Sequence, residues 1–286
     1  MTKIVTWNIQ FGRMAQGEID LRRPGVRTRV LAPDADVVCM QEVVRCMPEL
    51  DGGAGEDQVA ALAEIFRGYE PVFGPSLSRH PGGFGPRREF GNLILSRLPI
   101  LQVTSHALPQ PPAPGIKHMP RQAIEAVVLA PFGPLRITTT HLEYHSAEQR
   151  TAQAERLLAI HAEAAANGRA PGLAVEDGPY AAAPRPADAI LCGDFNALVD
   201  DDVYKAICRP GLDGAPAFAD AWRIRHKETP HAPTCGVHDR KQWPKGPHCR
   251  DYFFVTGGLA TRVENIEVDA ASMASDHQPI ILTLAD

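Results

Sequence analysis

The sequence predicts an α/β fold, because apolar strand-like runs alternate with segments of helical periodicity along most of its 286 residues. Lys3–Ile9 and Asp36–Met40 have the composition of buried strands, and a helical stretch containing Val26 and Val30 separates them. Hydrophobic residues make up 44% of the chain, which is enough to bury a substantial core. Because the strand pattern resumes at Ala189–Cys192 after the Ala/Pro/Gly-rich residues 168–187, that segment is not a domain linker, and residues 1–286 are expected to form a single domain.

The central part of the chain predicts a hairpin followed by a long helix. Two β-rich runs, Ala123–Leu129 and Leu135–His141, flank the turn-forming sequence PFGP. The helix is expected to begin after Ser146, which has capping-box spacing to Gln149, and to stop at Asn167-Gly168. Further elements are predicted for a helix at Gln58–Phe66 and for strands at Asn92–Ser96, Ala189–Cys192, Tyr252–Thr256, Val263–Val268 and Pro279–Leu284. The Ala/Pro/Gly-rich residues 168–187 predict a surface loop insertion.

Composition excludes some classes of protein. A formal net charge of −5 is unlike a protein that coats nucleic acid non-specifically, although a local basic patch is compatible with it. No apolar run reaches the roughly 18 residues of a membrane helix, and the N-terminal sequence has no signal-peptide pattern. The six cysteines are scattered, as in a protein with reduced thiols. We therefore expect a cytoplasmic protein without a membrane span, and no protein partner is evident.

Polar residues cluster where the predicted strands begin or end. Carboxylates, amides and imidazoles at the ends of apolar strands are typical of active sites built on sheets. In chain order these residues are Asn8, Glu42, His141, Asp194, Asn196, Asp251, Asp276 and His277. Any one of them alone is better explained as a loop acid, a cap or a structural histidine. Their joint occurrence at strand ends favours a site.

The side-chain chemistry of this set indicates a metal-assisted phosphoester reaction. The oxygens of Asn8, Glu42, Asp194 and Asn196 suit a hard cation that keeps several waters, namely Mg²⁺ or Mn²⁺. Such an ion polarises a phosphoryl oxygen and stabilises a leaving oxygen. Histidines add a group of near-neutral pKa and a donor to phosphate.

A His–Asp pair is predicted between His277 and Asp251. Asp276 precedes His277 directly, and adjacent side chains of an extended chain point to opposite faces, so Asp276 is poorly placed to orient the ring. A carboxylate from a neighbouring strand is better placed. We therefore expect Asp251 to hold the imidazole of His277, as the acid of a catalytic triad does.

These motifs resemble those of the endonuclease/exonuclease/phosphatase superfamily, which includes deoxyribonuclease I, sphingomyelinases and inositol polyphosphate 5-phosphatases. The matching segments, which span Thr6 to Pro279, are TWNIQ, MQEV, GNLILSRLPI, TTTHL, ILCGDFNA, RDYFFVT and SDHQPI. The combination of GDFN with SDH is the most specific part of the resemblance. It implies a four-layer α/β sandwich of two packed, mixed β-sheets flanked by helices, with the site at one end.

The resemblance also implies roles for individual residues. Glu42 would be the principal metal ligand, assisted by Asn8, and Asp276 would support the metal site. Asp194 and Asn196 would orient the attacking water and contact the phosphate or a second metal. His277, paired with Asp251, would act as base or as phosphate-stabilising acid, and His141 would contact the scissile phosphate.

The resemblance does not identify the substrate. Residues Arg79–Asn92 lack the lysine-rich, GYSG-like segment of relatives similar to exonuclease III, and His141 stands where those proteins tend to have Tyr. The deoxyribonuclease or sphingomyelinase side of the superfamily fits better. A phosphodiesterase of nuclease type is therefore favoured, with a small-molecule or lipid-headgroup phosphoesterase as the alternative. A catalytically silent binding module is disfavoured, because the full set of site residues is present.

Some features outside the main motifs have two readings. Arg87 and Arg88, in a Gly/Pro-rich loop before Asn92, could gather an anionic substrate or form a solvated loop. Arg121 could likewise contact phosphate or cap a strand, and Asn92 is a further candidate phosphate contact. A zinc site could be suggested by Cys235-x-x-His238 and His248-Cys249, but their spacing is not that of a standard zinc motif.

Overall fold

The computed structural model describes residues 1–173 and 175–286, and in them two six-stranded β-sheets pack face to face between outer helices. This arrangement confirms the expected α/β sandwich. The strands in chain order are β1 Thr2–Asn8, β2 Val37–Arg45, β3 Glu70–Arg79, β4 Arg88–Ser96, β5 Ile100–Ala107, β6 Gln122–Ala130, β7 Gly133–His141, β8 Ala189–Asp194, β9 Phe218–Asp220, β10 Asp251–Thr256, β11 Val263–Val268 and β12 Ile280–Leu284. The helices are α1 Arg22–Leu31, α2 Gln58–Ile65, α3 Ala147–Arg169, α4 Asp202–Ile207, α5 Ala221–His226 and α6 Gly257–Ala260.

Each sheet has a parallel pair of strands near its centre. The first sheet has the order β11-β12-β1-β2-β4-β3, and the second has the order β5-β6-β7-β8-β10-β9. The pairs β1/β2 and β7/β8 are parallel, whereas the other neighbours are antiparallel. Because parallel strands end at the same edge, each pair delivers its C-terminal residues to one place.

The core lies between the sheets and extends under the helices on both sides. Ile4, Ile94 and Ile137 belong to the cluster between the sheets. Strand residues on the opposite faces of the sheets, such as Val5 on β1 and Leu191 on β8, face the outer helices instead. Since both faces of the central strands are covered, these strands are continuous apolar runs in the sequence.

Most predicted elements are present, with small shifts at their ends. The predicted hairpin forms between β6 and β7, and the Ser146 side chain caps α3 by accepting a hydrogen bond from the backbone N–H of Gln149 at 3.3 Å. Helix α3 ends at Arg169, just past the predicted stop. The predicted loop insertion over residues 168–187 includes Ala174, which lies outside the described residues.

Three strands were not predicted, namely β3, β5 and β9, and all three are edge strands. β3 contains Pro71, Gly74 and Pro75, which an edge strand tolerates because one side of its backbone has no neighbour to bond. β5 and β9 form the two edges of the second sheet, and β9 has only three residues. Helices α4 to α6 have four to six residues each, too few to show a helical period in the sequence.

The structure also bears on the cysteines and on membrane insertion. All six cysteines are unpaired, and Cys39, Cys192 and Cys235 are buried. Within the described part of the chain, no helix combines the length and apolar character needed to cross a bilayer.

Candidate active site

A cleft of about 380 Å³ opens where the parallel strands of both sheets end. His141, Asp194 and Asp251 are register neighbours on three adjacent strands, β7, β8 and β10, so the second sheet places them in one row. The predicted residues that line the cleft are Glu42, Arg121, His141, Asp194, Asn196, Asp276 and His277. Asn8 and Asp251 lie directly behind them and contact them through hydrogen bonds.

A β-bulge places Glu42 in the cleft. The sequence suggested that the second strand ends at Gln41-Glu42, but β2 continues to Arg45, and its pairing with β4 shifts register between Met40 and Val43. Glu42 has a φ of 58°, a left-handed conformation that is uncommon for a residue other than glycine. Bulges change the direction of side chains near active sites. Here the bulge directs the Glu42 carboxylate into the cleft, although the neighbouring residues of β2 are buried.

Gly193 allows β7 and β8 to approach closely beside Asp194. Its φ is 128°, and a Cβ at this position would lie 2.0 Å from the carbonyl oxygen of Thr140. Only glycine fits such a backbone contact. The glycine of the GDFN motif is therefore required by the pairing that positions the next residue.

Asn8 bridges the two central carboxylates. Its Nδ2 donates to Glu42 Oε1 at 3.1 Å and to Asp194 Oδ2 at 3.0 Å, while its Oδ1 accepts from the backbone N–H of Gln10 at 3.0 Å. The amide thus presents nitrogen, not oxygen, toward the carboxylates. The predicted role of Asn8 as an oxygen ligand would require this amide to turn over.

His277 is paired with Asp251, the partner expected from the strand argument. Its Nδ1 donates to Asp251 Oδ2 at 2.8 Å, and the Thr234 hydroxyl donates to the same oxygen at 2.6 Å. The other ring nitrogen, Nε2, lies 3.8 Å from Asp194 Oδ2. Although burial opposes a charged ring, the carboxylates of Asp251, Asp276 and Asp194 raise the pKa of His277 well above its usual value. A proton is therefore held at the cleft side of this ring.

His141 is held as a neutral donor. Asn196 Nδ2 donates to the carbonyl oxygen of Leu142 at 2.9 Å and contacts His141 Nε2 at 3.1 Å. Since a carbonyl oxygen only accepts, this atom is the amide nitrogen, and His141 Nε2 is its acceptor. Burial, together with nearby Arg121, lowers the pKa of His141 to about 3. Its contacts with Asp194 at 3.4 Å and Glu42 at 3.9 Å are therefore not ion pairs at neutral pH.

The donor set fits a hard divalent cation. Burial, and then the neighbouring carboxylate of Asp276, raises the pKa of Glu42 to about 7. A cation beside these oxygens would relieve that repulsion and favour the ionised carboxylate. A second grouping, Asp194, Asp251 and His277, brings one ligand atom from each residue within 4.8 Å. We favour Glu42 and Asp276 as ligands, because His277 Nδ1 and Asp251 Oδ2 already satisfy each other.

The sequence analysis did not assign a role to several residues that line the cleft. Trp243 Nε1 donates to Asp276 Oδ2 at 3.0 Å, and Gln10 Nε2 contacts the same oxygen at 3.3 Å. Trp243 also packs edge-on against His277, with ring centroids 5.6 Å apart. The other unpredicted lining residues are Lys117, His118, Met119, Glu143, Tyr144, His145 and Gln242.

The candidate phosphate contacts divide into two groups. Arg121 lines the cleft, where its Nε donates to the buried Glu143 carboxylate at 3.3 Å. The structure does not bring Asn92, Arg87 or Arg88 to the cleft lining. Asn92 is buried and donates to the carbonyl oxygen of Gln122, whereas Arg87 bonds Ser78 and Arg88 bonds Glu49. Phosphate contact by these three residues stays a prediction.

The candidate zinc ligands do not converge within the described residues. His238 Nε2 bonds the carbonyl oxygen of Ala270, and His248 Nδ1 bonds that of Gly246. Cys235 and Cys249 contact backbone carbonyl oxygens. These local contacts explain the residues as parts of a folded loop.

Comparisons with known proteins agree with the fold and the motifs. The model of the Endonuclease/Exonuclease/phosphatase family matches residues 5–277. A structure described as an endonuclease/exonuclease/phosphatase from Beutenbergia cavernae is 25% identical, with a TM-score of 0.71, and the match covers 99% of this chain and 72% of that one. No curated protein sequence matches significantly.

Two further similar structures have more specific descriptions. A mannosyl-6-phosphatase from Bacteroides thetaiotaomicron is 16% identical, with a TM-score of 0.70, and both chains are covered completely. A 3′ phosphatase from Neisseria, bound to a product DNA hairpin, is 17% identical, with a TM-score of 0.62 and 100% of both chains covered. At these identities the likeness shows the fold alone.

Proposed function

We propose that this chain, which belongs to the endonuclease/exonuclease/phosphatase family, hydrolyses a phosphoester with Mg²⁺ or Mn²⁺ as cofactor. One observation carries the proposal. The carboxylates of Glu42 and Asp276 line the same cleft as the His277 ring, which Asp251 orients, so oxygens suited to a metal and a proton-carrying ring surround one space. This combination suits attack by water on a phosphoryl group.

The cation would be held by Glu42 and Asp276, with Asn8 fixing the Glu42 carboxylate. When bound, it supplies charge that stabilises the phosphoryl oxygens and the leaving oxygen. It would also reduce the repulsion between the Glu42 and Asp276 carboxylates that, after burial, raises the pKa of Glu42. Asp276 is kept in place by its hydrogen bond from Trp243.

Asp194 and Asn196 would orient the attacking water. Although burial opposes its charge, Asp194 has a lowered pKa because the protonated ring of His277, the backbone N–H of Asn196 and the amide of Asn8 stabilise the carboxylate. It therefore stays ionised and accepts a hydrogen bond from water. His277 Nε2–H and His141 Nδ1–H would donate to phosphoryl oxygens, with Asp251 keeping the His277 ring in position.

A phosphodiester of nuclease type is the first substrate class that we propose. A phosphomonoesterase acting on a small molecule is the second, because the cleft is small, at about 380 Å³, and two similar structures are described as phosphatases. A silent binding module is disfavoured by the completeness of the site. We further propose, from the sequence, a single domain over residues 1–286 and a cytoplasmic location.

The test is hydrolysis of bis(p-nitrophenyl) phosphate and p-nitrophenyl phosphate by purified protein. Treatment with a chelator should abolish activity, and Mg²⁺ or Mn²⁺ should restore it. Asp194→Ala and His277→Ala should each lower kcat/KM at least about 10²-fold. Asp213→Asn, which changes an exposed aspartate in a turn, is the matched control and should keep full activity. Full activity of a correctly folded Asp194→Ala or His277→Ala variant would refute the assigned roles.

A further inference from the structure

One wall of the cleft is a proline-rich connection that we call the proline arm, residues 108–121 between β5 and β6. Its two ends meet, because the backbone N–H of Leu108 donates to the carbonyl oxygen of Arg121 at 3.0 Å. The arm projects Lys117, His118 and Met119 into the cleft lining. The proposed reaction has not used Lys117 or His118.

Two buried glutamines of α3 hold the proline arm in place through hydrogen bonds. Gln149 Nε2 donates to the carbonyl oxygen of Pro111 at 2.6 Å, and Gln153 Nε2 donates to that of Pro109 at 3.1 Å. Both glutamine side chains are fully buried. Farther along, the backbone N–H of Met119 donates to the Glu143 carboxylate at 3.3 Å. Anchored at these points, the arm forms a wall that is ordered before any substrate binds.

The hydrogen bond of Gln149 to the proline arm also fixes the orientation of the His118 ring. Pro111 O can only accept, so the Gln149 atom bonded to it is the amide nitrogen, which also lies 3.1 Å from His118 Nδ1. Gln110 Nε2 approaches that ring nitrogen as well, at 2.8 Å. With amide N–H groups directed at Nδ1, this atom is the acceptor and the ring hydrogen lies on Nε2. His118 Nε2 has no hydrogen-bond partner among the described residues.

The charges on this wall favour an anion. Arg121 and the buried Glu143 satisfy each other, and Arg150 also bonds the carbonyl oxygen of Glu143. Lys117 is exposed and forms no ion pair with any described residue. The cleft therefore has an acidic side, around Glu42 and Asp276, and an arm side where a cation and an N–H donor lie next to each other in sequence.

We propose that Lys117 and the Nε2–H of His118 bind a second anionic group of the substrate, separate from the phosphate that is hydrolysed. This inference rests on the proposed function and narrows its substrate class to phosphoesters with a further phosphate or carboxylate. A lysine and an oriented imidazole N–H give charge-assisted hydrogen bonds to such a group. The fixed arm lowers the ordering cost of binding it.

A matched pair of substrates tests the subsite. 4-Carboxyphenyl phosphate and 4-carbamoylphenyl phosphate have nearly the same shape and differ in one negative charge. With the metal in excess, the protein should give a kcat/KM about fivefold higher for the carboxylate ester. Lys117→Gln and His118→Leu should each bring the ratio toward one, and Lys117→Arg should restore it. Lys205→Gln, on the exposed face of α4, should leave the ratio unchanged.

The outcomes separate the two proposals. Hydrolysis of neither ester, together with no hydrolysis of bis(p-nitrophenyl) phosphate, would contradict the proposed function itself. If only the diester is hydrolysed, the oligothymidylate pair described below tests the subsite. Hydrolysis of both at equal efficiency, or a ratio unaffected by Lys117→Gln and His118→Leu, would overturn the subsite and leave the phosphoesterase activity standing. A ratio lowered by Lys117→Gln and restored by Lys117→Arg would support a charge-dependent contact over a purely structural role of the arm.

A second comparison identifies the source of the anionic group. Glucose 1,6-bisphosphate against glucose 6-phosphate probes a small bis-anionic substrate, and a ten-residue oligothymidylate against the dinucleotide probes a nucleic-acid strand. Selectivity for the member with the additional phosphate in either pair, lost in Lys117→Gln, supports the subsite. A strand substrate would also show a steep loss of kcat/KM with salt, since several phosphates are then bound. Lack of selectivity in both pairs would overturn the proposal.

Discussion

At the scale of single residues, the site depends on which atoms of each side chain are already engaged. Asp276 and Asp251 are both near His277, yet they serve different partners. Asp276 accepts from Trp243 and Gln10, whereas Asp251 accepts from His277 and Thr234. Two carboxylates near one imidazole can thus support a cation and orient the ring separately.

Asp251→Asn tests the orienting role. The amide has the same shape as the carboxylate, but it removes the negative charge that favours a proton on His277 and permits the wrong tautomer. We expect kcat/KM for p-nitrophenyl phosphate to fall by about 10²-fold or more while the fold is retained, as judged by circular dichroism. The alkaline limb of the pH profile should also move to lower pH, because His277 acts in its protonated form and its pKa falls when Asp251 is uncharged. Unchanged kinetics would show that His277 does not need this partner.

At the scale of elements, α3 is attached to the second sheet by a buried polar network. Arg136 on β7 donates to Glu125 on β6 at 3.0 Å and to His161 Nδ1 on α3. His161 Nε2 donates to the carbonyl oxygen of Pro216 at 2.8 Å, so the ring is satisfied as a neutral group with both nitrogens engaged. Burial, and then Arg136, lowers the pKa of His161 to about 4.

This network makes stability depend on pH. The folded pKa of His161, about 4, lies below the ordinary value of about 6.5, so the unfolded chain binds the proton more readily. Stability is therefore present above about pH 6.5 and is lost as the pH falls toward 4. The linkage relation gives a contribution of about 2 kcal/mol to the loss between pH 7 and pH 5.

Urea unfolding at pH 7 and pH 5 measures this contribution. His161→Gln keeps a donor for Pro216 and an acceptor for Arg136 but cannot titrate, so the loss of unfolding free energy between the two pH values should be smaller by about 2 kcal/mol. His80→Gln, in an exposed loop, is the matched control and should keep the pH dependence of the unchanged protein. Equal pH dependence in all three proteins would contradict the assignment.

At the scale of the whole molecule, the site requires two sheets to be held in register with each other. Gln41 on β2 provides a polar link across the interface. Its Nε2 donates to Thr6 Oγ1 on β1 at 3.1 Å and to Thr139 Oγ1 on β7 at 2.9 Å, and its side chain is fully buried. Because Glu42 follows Gln41 directly, this link also fixes where the bulge lies relative to the second sheet.

Gln41→Leu should weaken both stability and catalysis. The substitution keeps the volume roughly constant but leaves the Thr6 and Thr139 hydroxyls without this donor, which should lower the unfolding free energy by about 1–3 kcal/mol. A looser Glu42 should lower metal affinity, measured by Mn²⁺ titration calorimetry. Gln16→Leu, on the surface, is the control and should change neither quantity. Equal stability and Mn²⁺ affinity would show that the link is dispensable.

The sequence predicted the elements of the fold whose local pattern matches their burial in the structure. The strands buried on both faces and the capped helix α3 were predicted, since continuous apolar runs and a capping box are local signals. Edge strand β3 was missed because its prolines and glycine mimic a loop. The bulge at Glu42 was also missed, because a shift in register is a property of two paired strands and β2 alone does not show it.

The sequence by itself determined the family, the α/β class and the chemistry-bearing residues, because those residues are fixed by short motifs next to apolar strands. Only the tertiary structure decided which atoms meet. It showed that Asn8 presents its nitrogen to the carboxylates, that Trp243 bonds Asp276, and that the proline arm carries Lys117 and His118 to the cleft. Such contacts join residues far apart in sequence, and they depend on the packing of two sheets and on the direction of each hydrogen bond, neither of which a local pattern specifies.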